Sequence, residues 1–164
     1  MACETDGISE DFVLMNDDFF VTRNLKSVSL YHGGVLHNRY KRHTALVGPN
    51  QYASLLLKTH EALRKAGVEE PINYDLHVPM VINKTNMSYV VDEPYSIRSY
   101  YGNMFNLGGE YLEDVKIYSS YRLMPDSASV DNDSPYLSTE DGSFYVIKEF
   151  VEKSFPNPSP HEYP

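Results

Sequence analysis

The chain alternates short apolar runs with polar and glycine-containing segments, as α/β domains do. Its first apolar run, DFVLM at residues 11–15, is followed at once by Asn16, Asp17 and Asp18. A run of this length predicts a fully buried strand of a mixed or parallel sheet. Because ligands of open α/β sheets bind outside the carboxyl ends of strands, the two aspartates are expected where chemistry is usually placed.

Two helices are predicted from apolar residues that recur at helical spacing. The first begins after Asn50, which can cap it, and ends before Gly67. Its apolar face comprises Tyr52, Leu56, Leu63 and Ala66. The second begins near Ser143, and its apolar stripe comprises Phe144, Ile147, Val151 and Phe155. Each stripe predicts a helix that docks on a core by one side.

Further strands are predicted at residues 74–83 and 115–118, with Pro79 marking an edge, a bulge or the end of pairing. A short helix is expected at residues 86–91. The Gly102-Asn103 and Gly108-Gly109 pairs each predict a turn.

Two segments lack a sustained period and predict loops. Residues 25–49 predict an extended loop with one short strand, and residues 124–135 predict a surface loop. These elements indicate one domain over residues 1–155, followed by a Pro-rich extended tail at residues 156–164.

The charge balance restricts the classes of partner. With 23 acidic and 14 basic residues the net charge is −9, so nucleic acid is not expected as a partner except as an acceptor. The basic stretch HNRYKRH is the local exception: its Arg39 to Arg42 part could receive an anionic ligand, or it could simply be solvated. No apolar run reaches the roughly 20 residues of a membrane span, so no membrane partner is expected. One cysteine cannot form an intramolecular disulfide, which favours a cytoplasmic location.

The adjacent acids Asp17 and Asp18 are candidate metal ligands. A hard cation such as Mg²⁺ or Mn²⁺ takes one or two protein oxygens and fills its remaining positions with substrate phosphates and water. An Asx-turn or a helix N-cap explains the same residues without a metal.

Other candidate site residues lie downstream. His77 suits a general base, a phosphate contact or a core position, and Arg98 suits a phosphate clamp or an exposed position beside a turn. Glu110, Glu113 and Asp114 follow the glycine pair and suit metal or sugar-hydroxyl binding, or plain solvation. The sequence has no HExxH, CxxC, Walker, GxGxxG or GxSxG motif, so the corresponding enzyme classes have no support.

Four stretches together carry a family resemblance: SEDFVLMNDDFFV, YDLHVPMVINKTNM, RSYYGNMFNLGGEYLEDVKIY and FPNPSPHEYP. In this order they resemble the glycosyltransferase-like proteins encoded by tailed bacteriophages of actinobacteria. More distantly they are similar to the Stealth group of sugar-phosphate transferases, which share an Asn-Asp-Asp stretch and a downstream histidine. The resemblance covers the chain from about Ile8 to its end.

This resemblance implies a GT-A type α/β fold, with a mixed sheet flanked by helices, and a nucleotide-diphosphosugar donor. It places Asn16, Asp17 and Asp18 at a DxD-like site for Mn²⁺ or Mg²⁺ and the diphosphate. It also implies that the downstream candidates line the same cleft. Of these, His77, Asp114 and Arg98 are the expected catalytic residues, and Asn16, Asn103, Glu110 and Glu113 the expected substrate-binding residues.

One departure from the family pattern affects the expected partners. In such enzymes a nucleotide-binding half precedes the aspartate motif by about a hundred residues, whereas here the motif begins at Asn16. The N-terminal half is therefore expected to be missing, leaving a sheet edge for a second chain to cover. Three functions stay open: sugar transfer, sugar-phosphate transfer, and a non-catalytic fragment that binds a partner. If a bacteriophage encodes the chain, the expected location is the host cytoplasm.

Overall fold

Three two-stranded sheets and five α-helices form the part of the chain that the computed structural model describes, residues 5–118 and 133–157. The fold is mixed α/β, with small sheets flanked by helices, as the sequence predicts. Most of the predicted loop at residues 124–135 and of the predicted tail at residues 156–164 lies outside the described residues. No helix in the described ranges is both long and apolar enough to cross a bilayer.

The first sheet pairs β1 (Asp11–Leu14) with β4 (Met80–Asn83) in an antiparallel register that sets Val13 opposite Val81. Ile82 is fully buried, whereas Val13 and Val81 are 45% and 42% exposed. The prediction of a fully buried β1 is therefore wrong. Only one face of this two-stranded sheet is covered, so its side chains alternate between core and solvent.

The strand predicted at residues 74–83 is paired only over β4. In the preceding residues, Leu76 and Val78 are buried, but their carbonyls accept hydrogen bonds from Arg98 at 3.1 and 2.7 Å. A guanidinium thus takes the acceptors that a neighbouring strand would otherwise use. These two hydrogen bonds hold the segment 76–78 against the side chain of Arg98.

Two antiparallel neighbours, α1 (Leu36–Val47) and α2 (Gln51–Lys65), form one wall of the molecule. The prediction of α2 is confirmed: the Asn50 side chain accepts from the Ala53 amide at 2.8 Å, and Gly67 has φ of +92°. The expected loop at residues 25–49 is wrong where α1 lies. No side chain caps the start of α1, so the sequence lacks the usual signal for a helix there.

Helices α3 (Lys84–Ser88) and α4 (Ile97–Met104) follow β4. The predicted turn at Gly102 is wrong, because Gly102 lies inside α4. A Cβ atom there would lie 2.5 Å from the ring of buried Tyr74, so the glycine permits a close approach. Gly108 and Gly109 have φ angles of 69° and 113°, a region that favours glycine, but the turn itself lies at residues 105–106.

The other two sheets bring distant segments together. Strand β2 (Phe19–Val21) is antiparallel to β6 (Tyr136–Ser138), and β3 (Tyr31–His32) is parallel to β5 (Glu110–Tyr111). The strand expected at residues 115–118 is reduced to a single parallel bridge between Lys116 and Ser138.

The predicted C-terminal helix is confirmed as α5 (Phe144–Ser154), which follows a 3-10 turn at Asp141–Ser143. Its docking face differs from the prediction. Ile147 is fully buried and packs with Phe150 and Val151, while Phe144 and Phe155 are 41% and 48% exposed.

Candidate active site

A cavity of about 780 Å³ opens between the α1–α2 pair, residues 75–77 and the start of α4. Its volume lies in the range of small-molecule sites in proteins. Its polar lining includes Asn16, Arg39, Asp75, His77, Ser96 and Arg98. Three of these, Asn16, His77 and Arg98, are candidates from the sequence.

His77 and Asp114 form a hydrogen-bonded pair at this cavity. The Nδ1 atom of His77 lies 2.9 Å from each carboxylate oxygen of Asp114, and the His77 amide donates to Asp114 Oδ1 at 3.1 Å. The Asp114 side chain is only 12% exposed. Burial disfavours its ionised form, but hydrogen bonds and charge from His77 outweigh burial and lower its pKa.

This pairing assigns a role to each ring nitrogen of His77. A carboxylate at Nδ1 favours the tautomer that carries its proton there. Nε2 is then the basic nitrogen, and it can take a proton from a bound hydroxyl. The structure therefore joins two residues, 37 positions apart, that the sequence offered separately.

Arg98 lines the cavity, yet most of its donors are used within the protein. Besides the carbonyls of Leu76 and Val78, it donates to Leu14 O at 3.4 Å and to Asn16 Oδ1 at 3.3 Å. Its guanidinium also lies 5.3 Å from the ring centroid of Phe19. Arg98 thus ties the end of β1 to residues 76–78 and holds Asn16 at the cavity.

Asp18 has a protein cation as its partner. Lys116 Nζ donates to its Oδ2 at 2.8 Å, and Ser138 Oγ donates to the same oxygen at 3.2 Å. Burial opposes ionisation of Asp18, but Lys116 outweighs it and the pKa falls below its ordinary value. The charge that follows β1 is therefore neutralised, at least in part, by a lysine.

Asp17 and Asp18 do not line the cavity, and they would offer a divalent ion only two protein carboxylates. Asp18 Oδ1 is buried and has no hydrogen-bond partner among the described residues, and Asp17 beside it is exposed. No group of three or more His, Cys, Asp or Glu side chains suited to a metal occurs in residues 5–118 and 133–157. Because Mg²⁺ is usually held by one or two carboxylates plus substrate phosphates, Asp17 and Asp18 fit such an ion.

Three predicted substrate-binding residues lie away from the cavity lining. Asn103 is bonded to Ile72, whose amide donates to its Oδ1 at 2.8 Å and whose carbonyl accepts from its Nδ2 at 2.7 Å. Asn103 therefore fastens α4 to the chain that precedes residue 74. Glu110, on the short strand β5, and Glu113 are exposed.

Asp75 is a cavity residue that sequence reasoning missed. It accepts a hydrogen bond from Ser96 Oγ. Burial raises its pKa, and Ser96 and the nearby Arg98 only partly offset this effect. Its spacing could have identified it, because Asp75 and His77 alternate with the buried residues Tyr74, Leu76 and Val78.

Arg39 is a second polar residue of the cavity that the sequence did not single out. The sequence presented it only as part of a basic stretch, with no means to separate it from Lys41 and Arg42. In the structure Arg39 lines the cavity, whereas Lys41 and Arg42 are exposed.

No protein-family model, curated protein or solved structure matches this chain. The case for a function therefore depends on the residues of the site and on the resemblance described above.

Proposed function

We propose that this protein is a transferase that uses a nucleotide-diphosphosugar donor and activates the hydroxyl of an acceptor. The observation that carries the proposal is His77 Nδ1 at 2.9 Å from both oxygens of the partly buried Asp114, beside a cavity that arginines also line. A GT-A arrangement of the fold is part of the same proposal.

In the proposed reaction, His77 Nε2 takes the proton of the acceptor hydroxyl as the oxygen attacks. Asp114 holds the ring in position and stabilises the imidazolium that forms. General-base help of this kind is worth roughly 10²- to 10⁴-fold in rate. The cavity walls, which include Leu55, Leu76 and Ile97, restrict water that would compete with the acceptor.

Sugar-phosphate transfer is the form of the reaction that the cavity favours. The acceptor oxygen bonds to the β-phosphorus, and the bond from that phosphorus to the oxygen bridging the two phosphates breaks. The products are a sugar phosphodiester and a nucleoside monophosphate, which keeps the bridging oxygen and its electron pair. Arg39 and Arg98 at the cavity support this form, because guanidinium groups stabilise charge on a transferring phosphoryl group.

Sugar transfer is the second candidate, favoured by the buried, unpartnered Oδ1 of Asp18 among the described residues. Asp17 and Asp18 would hold Mn²⁺ or Mg²⁺, which as a Lewis acid supplies neutralisation of the departing diphosphate. The acceptor oxygen then bonds to the anomeric carbon, the bond from that carbon to the β-phosphate oxygen breaks, and the nucleoside diphosphate leaves with the electron pair.

Isothermal titration with UDP-sugars and GDP-sugars tests the donor class. We expect heat of binding for the wild-type protein, with or without Mn²⁺ if sugar phosphate is transferred. We expect dependence on Mn²⁺ if the sugar alone is transferred. In that case Asp18→Asn should weaken the donor binding that requires Mn²⁺. Glu113→Gln, an exposed control, should not weaken it. Absence of heat with every donor would count against both forms.

A further inference from the structure

Helix α1 divides the basic stretch HNRYKRH between cavity and solvent. Arg39 lines the cavity, and Lys41 and Arg42, on another side of the helix, are exposed. We propose that Arg39, together with Tyr52 and Tyr118, forms a binding subsite for the diphosphate group of the donor, an inference that rests on the proposed function.

The subsite is built from three separate elements. Arg39 comes from α1, Tyr52 from α2 and Tyr118 from the end of the first described range, and all three line the cavity. The guanidinium of Arg39 lies close enough to both tyrosine hydroxyls to lower their pKa values against the larger effect of burial. A phenol oxygen can accept from a guanidinium and donate its own O–H to a ligand at the same time.

Both tyrosines remain in the protonated form that can donate. Burial raises the pKa of Tyr118 to about 12, and it raises that of Tyr52 still further. Nε of Arg39 is buried and has no hydrogen-bond partner within the described part of the chain. The subsite therefore offers a guanidinium charge and hydroxyl donors, a combination that suits an anion with several acceptor oxygens.

The acids near Arg39 are already engaged in other interactions. Asp114 accepts two hydrogen bonds from the His77 ring, and Asp75 accepts one from Ser96. Glu140, which also lines the cavity, accepts a main-chain amide in the capping box of the 3-10 turn. Arg39 also interacts electrostatically with Asp114 and Asp75, so an incoming anion would share its charge with these acids.

A phosphate group matches this donor set better than a carboxylate does. The guanidinium fork can engage two oxygens of one phosphate in parallel hydrogen bonds, and the third oxygen remains for a tyrosine. A carboxylate has only two oxygens and would leave a hydroxyl without a ligand partner. A diphosphate adds a second phosphate group to the same cavity, which His77 also lines.

Calorimetric titration with inorganic pyrophosphate in the presence of EDTA tests the subsite without a metal or a sugar. We expect the wild-type protein to bind, and Arg39→Gln to bind roughly 10- to 100-fold more weakly, since charged hydrogen bonds are lost. Arg42→Gln is the matched control: it removes an exposed arginine from the same helix and should bind as the wild type does.

Arg39→Lys covers the case in which Arg39→Gln fails to fold. It keeps the charge but not the fork, so we expect affinity below that of the wild type. Wild-type affinity in both Arg39 variants, or no pyrophosphate binding by the wild-type protein, would overturn the subsite.

Failure of the subsite and failure of the proposed function give different results. His77→Ala should lose transfer, whereas Arg39→Gln should lose affinity for pyrophosphate. If Arg39→Gln leaves pyrophosphate affinity unchanged while the wild-type protein still converts a donor, the subsite is wrong and transfer stands. If Arg39→Gln abolishes binding but no donor is converted, the subsite stands and transfer is wrong.

Discussion

Asp75 is a buried acid whose ionisation should cost the protein stability. Its native pKa is raised, mainly by burial, above the ordinary value of 3.8, so the native state resists losing this proton. The free energy of unfolding therefore falls as the pH rises through the native pKa. At low pH both states hold the proton and the cost disappears.

Asp75→Asn should consequently make the protein more stable at pH 7, because asparagine keeps an acceptor for Ser96 and carries no charge. The gain should disappear below about pH 3.8, the ordinary value. Urea unfolding between pH 3 and pH 8 measures it, with exposed Asp17→Asn as the control. Equal or lower stability of Asp75→Asn at pH 7 would show that the neighbouring Arg98 and Arg39 stabilise an ionised Asp75.

The ion pair of Asp18 with Lys116 should contribute to stability, because the two side chains are only 24% and 14% exposed. Lys116→Met leaves Asp18 partly buried without its cation, at an expected cost of about 1 to 3 kcal/mol. The lowered pKa of Asp18 means that this contribution is present above its ordinary value of 3.8 and is lost as the pH falls through the native value.

Lys148→Met provides the comparison for this pair. Lys148 and Glu152 lie 3.7 Å apart on α5 but are 60% and 67% exposed, so solvent screening should keep the loss within about 0.5 kcal/mol. Denaturant unfolding at pH 7 measures both variants. Equal losses for the two lysines would mean that burial of Asp18 does not strengthen its ion pair.

Local sequence signals account for some helices and not for others. Helix α2 could be predicted because Asn50 caps it, Gly67 ends it and apolar residues repeat along one face. Helix α1 carries only one of these signals, Gly48 at its end with φ of +85°: only Leu36 and His43 are buried in it, and no side chain caps its start. Its packing against α2 holds it in place, and a pattern confined to residues 36–47 cannot reveal that contact.

Helix α4 depends on a close contact that its own sequence does not reveal. Gly102→Ala should favour the helix locally by up to about 1 kcal/mol. However, the added methyl group would lie 2.5 Å from the Tyr74 ring. We expect overpacking to dominate and the free energy of unfolding to fall by about 1 to 3 kcal/mol.

Thermal and urea unfolding measure the effect of Gly102→Ala. Tyr74→Leu in the same chain should recover part of the loss, because it removes the ring that the methyl group meets. If Gly102→Ala alone is as stable as the wild type, α4 and the segment around Tyr74 can move apart at little cost in free energy.

At the scale of the whole molecule, the sequence predicted the α/β class, the C-terminal helix and part of the candidate site. His77, Asp114, Arg98 and Asn16 were all candidates. It did not predict that His77 pairs with Asp114, because tertiary folding alone brings residues 37 positions apart into contact. Nor did it predict three small sheets, since strand pairing between distant segments leaves no local pattern.

The outer face of the β1–β4 sheet should promote association of the isolated chain. Val13 and Val81 lie opposite each other and are nearly half exposed, and each strand of this sheet has an unpaired edge within the described residues. Such an edge invites another strand.

We expect concentration-dependent association in sedimentation velocity. The double substitution Val13→Thr and Val81→Thr should reduce this association while keeping the β-branched shape. A monodisperse wild-type monomer that unfolds cooperatively would argue against a surface that needs a partner chain.

The most direct measurement of the central claim is ³¹P nuclear magnetic resonance of the protein incubated with nucleotide-diphosphosugars and hydroxyl acceptors. The account predicts formation of a nucleoside monophosphate together with a sugar phosphodiester. The rate should fall roughly 10²- to 10⁴-fold in His77→Ala and Asp114→Asn, and it should be unchanged in Glu113→Gln. Equal rates in the wild-type and His77→Ala proteins, or no conversion of any donor, would contradict it.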